Sequence, residues 1–289
     1  MTDPKTHTLD APGATITYDV RSTESGADVP VLLLIGSPMG AEGFSTLAGY
    51  FPDRTVVTYD PRSAGRSKRT DNARETTPDE HADDLRRVID AVGGGPVDIF
   101  ASSGGAVNGL ALVARHPEQV RTLVAHEPPA AQTLPDREQA LNAVMGIRRT
   151  YERQGMGPAM AKFIAIVGWK GLVPADFADQ PVDPSAFGLP TEDDGSRDDA
   201  LLGQNLVTST HYEHDFDALR AAPTRIVVGV GAESEGELAH RAGVAVAERL
   251  GDKPVTFPSN HGGFLGDEYG MPGDPDAFAV TLRQVLGEG

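Results

Sequence analysis

Along the first half of the chain, hydrophobic residues fall into short unbroken runs separated by segments of helical periodicity. Val31-Leu32-Leu33-Leu34-Ile35 contains no polar position, as a strand buried on both faces requires. Residues 55–59 read as a second buried strand, ending at Asp60-Pro61, and residues 15–20 alternate in polarity like a half-exposed strand. Thr77-Pro78-Asp79-Glu80 reads as a capping box with proline at the first helical position. The helix it opens places Leu85, Val88, Ile89 and Val92 on one stripe, and Gly93-Gly94-Gly95 stops it. A strand over residues 97–101 follows, then an apolar helix ending near His116-Pro117, then a strand at Leu123-Val124-Ala125. This alternation predicts the α/β class, a mostly parallel sheet flanked by helices.

From about residue 130 to 222 the rhythm lapses into helices separated by proline- and aspartate-rich loops, residues 174–198 among them. It resumes at Ile226-Val227-Val228, with a helix over about 237–250, a strand over 255–257 and a last helix capped by Asp274-Pro275. The expected organisation is a discontinuous core, 1–129 and 223–289, with a helical insertion over 130–222. Within the insertion Met145, Met156, Met160, Phe163 and Trp169 read as packing residues.

Charge narrows the partners. Among 289 residues, 25 Lys and Arg face 42 Asp and Glu, a net charge of −17. Such a surface repels phosphate backbones and anionic lipid, so nucleic acid and membrane are not expected partners, and a small-molecule substrate is. The absence of cysteine removes disulfides, thiolate catalysis and cysteine-based zinc sites. Met1-Thr2-Asp3-Pro4-Lys5 lacks the layout of a signal peptide, and residues 31–35 are too few to span a bilayer, so a cytoplasmic location is expected.

The chemistry concentrates at Ala101-Ser102-Ser103-Gly104-Gly105, between a strand and a helix. A serine on a sharp strand-to-helix turn needs small residues two places away on each side. Centring on Ser102 would put Phe100 in such a slot, whereas centring on Ser103 puts Ala101 and Gly105 there. Ser103 is therefore the candidate nucleophile. It needs a base that titrates near neutrality, and His261, in a short loop after the strand over 255–257, is the best placed of eight histidines. Strand ends of a parallel sheet share one rim, which brings such a loop within reach of the serine. His211-Tyr212-Glu213-His214-Asp215 reads as a solvated hinge rather than a metal site, and His126 as a packed strand end. Gly229-Val230-Gly231 lacks the third glycine of a dinucleotide fingerprint, Ser234 standing in its place, so neither metal nor cofactor is expected. Arg62 and Arg66 are expected to brace the loop after Tyr59 by charge pairing.

Taken in order, Gly36-Ser37-Pro38-Met39-Gly40, the segment from Tyr59-Asp60-Pro61-Arg62 to Gly65-Arg66-Ser67, the turn at Ser103 and Asn260-His261-Gly262-Gly263 resemble an α/β-hydrolase with a helical cap. The resemblance covers nearly the whole chain and implies an eight-stranded-type sheet and a triad in chain order serine, acid, histidine. Most relatives carry the acid past the strand that follows the cap, where this chain has Ala232, with Glu233 one place late. Others carry it at the end of the strand before the cap, where Glu127 stands. Glu127 is the preferred acid and Glu233 the alternative, since a one-residue shift turns a side chain away. The resemblance also implies an oxyanion hole from the backbone N–H groups of Ser37 and Gly104. A serine hydrolase acting on a small to medium, mainly apolar ester, lactone or thioester is expected. A serine at this position argues against haloalkane dehalogenase and epoxide hydrolase chemistry. Carbon–carbon bond hydrolysis, a biosynthetic rearrangement, and a non-hydrolytic ligand-binding or cyclase role on the same fold remain alternatives.

Overall fold

A computed structural model describes residues 3–23, 29–270 and 273–287. Met1, Thr2 and the outer bounds 1 and 289 of the expected core lie outside the described residues.

The described strands form one sheet. It begins with a hairpin, β1 (Lys5–Ala11) and β2 (Ala14–Arg21), which turns at Pro12-Gly13 with Gly13 at φ +73°. β3 (Leu32–Ile35), β4 (Val56–Tyr59), the two-residue β5 (Lys68–Arg69), β6 (Val97–Ser102), β7 (Val120–His126), β8 (Arg225–Gly231) and β9 (Val255–Phe257) follow. Their order is β1-β2-β4-β3-β6-β7-β8-β9, with β5 pairing β2 beside that path. Pairings from β4 through β9 are parallel, and those of β2 are antiparallel. The apolar runs are the central strands, every residue of β3, β4 and β6 being buried, the polar Thr58, Asp98 and Ser102 included.

Alternate strand residues feed two cores. Leu33, Ile35, Ile99 and Ala101 face one side, against Leu85, Val88 and Ile89 of α2 (Pro78–Ala91), Leu110 of α3 (Gly104–Arg115) and Val246 of α8 (Leu238–Leu250). Leu32, Leu34, Phe100 and Val124 face the other, against Leu47 of α1 (Ser45–Gly49) and Phe278 and Leu282 of α9 (Pro275–Leu286). Each of the larger side chains among them (Val, Leu, Ile and Phe), fully buried, contributes about 1.5–3 kcal/mol. The capping box at Thr77 and Glu80 opens α2 as its sequence predicts.

Between β7 and β8 the chain is helical. α4 (Arg137–Gln154) and α5 (Met156–Val167) pack together, and a π-helical turn (Ala200–Asn205) leads into α6 (Leu206–Thr210). Their cluster, with Val144, Ile147, Tyr151, Leu202 and Leu206, also takes Leu238 and Ala242 of α8. α7 (Phe216–Ala221) instead packs on the main core through Leu219. His214 lies between the rings of Tyr212 and Phe216, at 5.0 and 6.0 Å, so the expected hinge is a packed one. Trp169 is also not the interior residue its sequence suggested, being 39% exposed.

The connection from β3 runs to β4 on one side, and the connection from β6 runs to β7 on the other. The C-terminal ends of β3 and β6 thus flank a topological switch point, where open α/β sheets bind their ligands. Among the described residues no helix is long and apolar enough to cross a membrane, and no group of three or more histidines, aspartates or glutamates is placed to hold a metal ion.

Candidate active site

Ser103 sits on that switch point, between β6 and α3, with φ +56° and ψ −127°. A side chain in this left-handed region is strained, at a cost of about 1–3 kcal/mol. The turn is held from both sides. Ser103 N donates to His126 O at 3.0 Å, and the glycines that follow meet the loop after β3. A Cβ on Gly104 would lie 2.5 Å from Ser37 O, and one on Gly105 would lie 2.6 Å from Ile35 O. Phe100, three residues earlier, points the other way into an aromatic cluster, 5.4 Å from both Phe264 and Phe278. Gly104 opens α3, and the first N–H groups of a helix have no partner within it.

His261 stands in the loop after β9. The Asn260 side chain accepts from Gly262 N at 2.9 Å and its carbonyl accepts from Gly263 N at 2.9 Å, which closes the turn that presents the imidazole. His261 Nδ1 lies 2.6 Å from Glu127 Oε2. Glu127 follows directly on β7 and is fully buried, with φ +46°, and its N donates to Gly229 O at 2.9 Å. Its second oxygen, Oε1, accepts from Gly231 N at 2.8 Å and from the Ser234 hydroxyl. Burial pushes the Glu127 carboxyl up, but the hydrogen bond and charge of His261, together with Ser234, outweigh it and hold the group down at about 2. The alternative acid, Glu233, is exposed and its carboxylate makes no hydrogen bond to His261; its N donates to Ser259 O and its carbonyl accepts from Lys170.

Ser103, Gly104, Ser37 and His261 line one cavity of about 260 Å³. Among the described residues Ser103 Oγ has no hydrogen-bond partner, and serine and imidazole share one wall of the cavity. The helices between β7 and β8 complete the enclosure at helical spacing. Val144 and Ile147 come from α4, Phe163, Ile166 and Val167 from α5, and Leu206, Ser209 and Thr210 from α6. Phe163, expected as packing, is thus also cavity wall. Apart from His261 the lining carries no ionisable side chain.

Three contributors escaped the sequence reading. Gly231 and Ser234 hold Glu127, and Asn205 lines the cavity. Asn205 Nδ2 donates to Ala200 O at 2.7 Å and its Oδ1 meets His81 Nε2 at 2.7 Å. A carbonyl only accepts, so the amide orientation is fixed and His81 carries its proton on Nε2. This pair ties the helical segment to α2. Proline and glycine signals mark turns, but nothing in a sequence marks a partner more than a hundred residues away.

His126 packs behind the pair, its ring 6.2 Å from that of His261 and 5.3 Å from that of Phe278, and burial lowers it to about 4. Arg62 binds Asp84 through two hydrogen bonds at 3.0 and 2.8 Å, and Arg66 binds Asp60 at 2.7 Å and Asp19 at 2.9 Å. Both arginines brace the segment after β4.

Comparison with known proteins agrees with this architecture. A profile of the alpha/beta hydrolase fold matches residues 29–154. An uncharacterized hydrolase of Bacillus subtilis (strain 168), YraK, is 30% identical over 264 residues, 89% of each chain. Among solved structures, the enol-lactonase from Burkholderia xenovorans LB400 is 17% identical over 98% of this chain and 100% of its own, with a TM-score of 0.66. A thermophilic esterase from Thermogutta terrifontis is 17% identical over 99% of each chain, also with a TM-score of 0.66. At 17% identity these two are likenesses of fold. The sequence match along 89% of both chains, the matching profile and the sheet order together place the protein: it belongs to the alpha/beta hydrolase family.

Proposed function

We propose that the protein is a serine hydrolase of small, neutral, mainly apolar esters, lactones or thioesters. Ser103 attacks the carbonyl carbon while His261 Nε2 takes its proton. Glu127 accepts the Nδ1–H, fixes the tautomer and stabilises the imidazolium as it forms. The backbone N–H groups of Ser37 and Gly104 receive the developing oxyanion, each such donor being worth about 3 kcal/mol in the transition state. Collapse expels the alcohol or thiol, which takes the proton from His261, and leaves an acyl-enzyme. Water, activated by the same imidazole, releases the acid. Serine and histidine close to hydrogen-bond distance when substrate fills the cavity between them.

The observation that carries this reading is a buried Glu127 paired with His261, whose imidazole lines the same cavity as a strained serine. The same contact favours the hydrolytic reading over the non-hydrolytic alternative, which would have gained most had both Glu127 and Glu233 pointed away. The segment between β7 and β8 acts as the cap, and its lining argues for the substrate class. A free amine or carboxylate on the substrate would be buried there without a counter-ion. Asn205, Ser209 and Thr210 supply the few polar contacts that orient a neutral ligand. With its composition, the protein is read as cytoplasmic. A fluorophosphonate probe tests the reaction. It should label the wild type and not Ser103→Ala, and a wild type that resists labelling above pH 7 would refute it.

A further inference from the structure

The turn after β8 holds donors where the family resemblance puts an acid. Glu127 arrives from the neighbouring strand, and its Oε1 accepts from Gly231 N–H at 2.8 Å and from the hydroxyl of Ser234, which is fully buried. The remaining described contact of Ser234 Oγ is Gly231 O, at 3.2 Å. Space here is short. A Cβ on Gly231 would lie 2.8 Å from Ser234 Oγ and 2.9 Å from the carbonyl carbon of Asn260, the residue before His261.

We propose that Ser234 is a positioning residue, which with Gly231 N–H fixes the Glu127 carboxylate and sets how strongly it holds His261. The role rests on the triad reading above. With Oε1 engaged by two donors, part of the carboxylate charge is drawn to that oxygen, and Oε2 is aimed at His261 Nδ1. Removing the hydroxyl leaves one donor, returns charge to Oε2 and stabilises the imidazolium, so His261 should protonate at higher pH.

Other ionisable groups face the pair. His126 lies behind it on β7, and Glu237 and His240 stand at the start of α8 with Lys170 beside Glu237. Glu237 is the neighbour whose own titration could imitate the effect, since burial raises it while Lys170 lowers it. The His261 imidazole is therefore titrated by NMR in wild type, Ser234→Ala, Ser234→Thr and Glu237→Gln, its signal assigned by its loss from His261→Gln. Ser234→Ala should raise the midpoint by about half a unit to one unit and lower kcat/KM at pH 7 about tenfold, and Ser234→Thr should restore both toward wild type. Glu237→Gln should keep the same rise when combined with Ser234→Ala. A Ser234→Ala protein with lowered melting temperature but an unmoved midpoint overturns the role. Should the threonine prove too bulky to fold, wild type against alanine decides alone. Because the titration needs no turnover, an unmoved midpoint in an active enzyme defeats the role of Ser234 alone. A wild type inert to every ester defeats the hydrolase reading.

Discussion

His261 Nδ1 and Glu127 Oε2 lie 2.6 Å apart although 134 residues separate them along the chain. The contact requires β7 and β9 to end on the same rim, with β8 between them, and it requires Glu127 in a left-handed backbone conformation to turn its side chain toward the next strands. Glu127→Gln should therefore lower kcat by about 10⁴-fold with little change in fold, since the amide leaves the wrong tautomer of His261 favoured. Glu233→Gln should stay within twofold of wild type. Steady-state kinetics on both variants checks this, and the reverse ranking would move the acid to Glu233.

The depressed Glu127 carboxyl predicts where activity and stability respond to acid. An ordinary glutamate titrates near 4.3, whereas Glu127 is held at about 2 by His261 and Ser234 against the opposing effect of burial. Because the folded value lies below the unfolded one, the stabilisation is present above about pH 4 and is lost as pH falls toward about 2. Urea midpoints should fall over that window in the wild type and fall less in Glu127→Gln. Above that window Glu127 stays charged, so it should add no step of its own to the pH profile of activity.

Packing around the serine turn makes Gly105 intolerant of any side chain. A Cβ there would meet three backbone atoms, Ile35 O at 2.6 Å, Gly36 Cα at 2.7 Å and Gly36 C at 2.9 Å, none of which can swing aside. Gly105→Ala should lower stability by about 1–3 kcal/mol and displace the loop that carries Ser37. Denaturant unfolding reads the first effect. A loss of kcat larger than the rise in KM reads the second, because the proposed oxyanion contacts would strengthen only in the transition state.

The cavity wall sets expectations for specificity. With about 260 Å³ and no ionisable side chain but His261, it should prefer short neutral acyl esters, and an added free amine should lower kcat/KM about a hundredfold. Phe163→Ala should shift the preference toward longer acyl chains. Nitrophenyl esters of graded length, with and without an amino group, test both expectations.

How much of this was legible in the chain follows from the reach of each signal. The central strands announce themselves because a strand buried on both faces favours a near-continuous apolar run, as residues 31–35 show. β1 gave no such sign, since Lys5, Thr6, His7 and Thr8 are exposed at the sheet edge and need no apolar pattern. Ser103 was legible because steric limits act on its immediate neighbours, Ala101 and Gly105. Glu127 and Glu233 could only be ranked, since the deciding feature is a backbone dihedral, and Ser234 and Asn205 were invisible because their partners lie far away in sequence. Trp169 misled for a related reason: size and apolarity say that a residue can be buried, not that its neighbours will cover it.

The central claim is a covalent bond to one hydroxyl. Wild type mixed with a nitrophenyl ester, quenched in acid within milliseconds and digested, should yield a peptide carrying the acyl mass on Ser103, and Ser103→Ala should yield none and release no nitrophenol above background. Nitrophenol released by Ser103→Ala at the wild-type rate, or an acyl group carried on a different residue, would contradict the account.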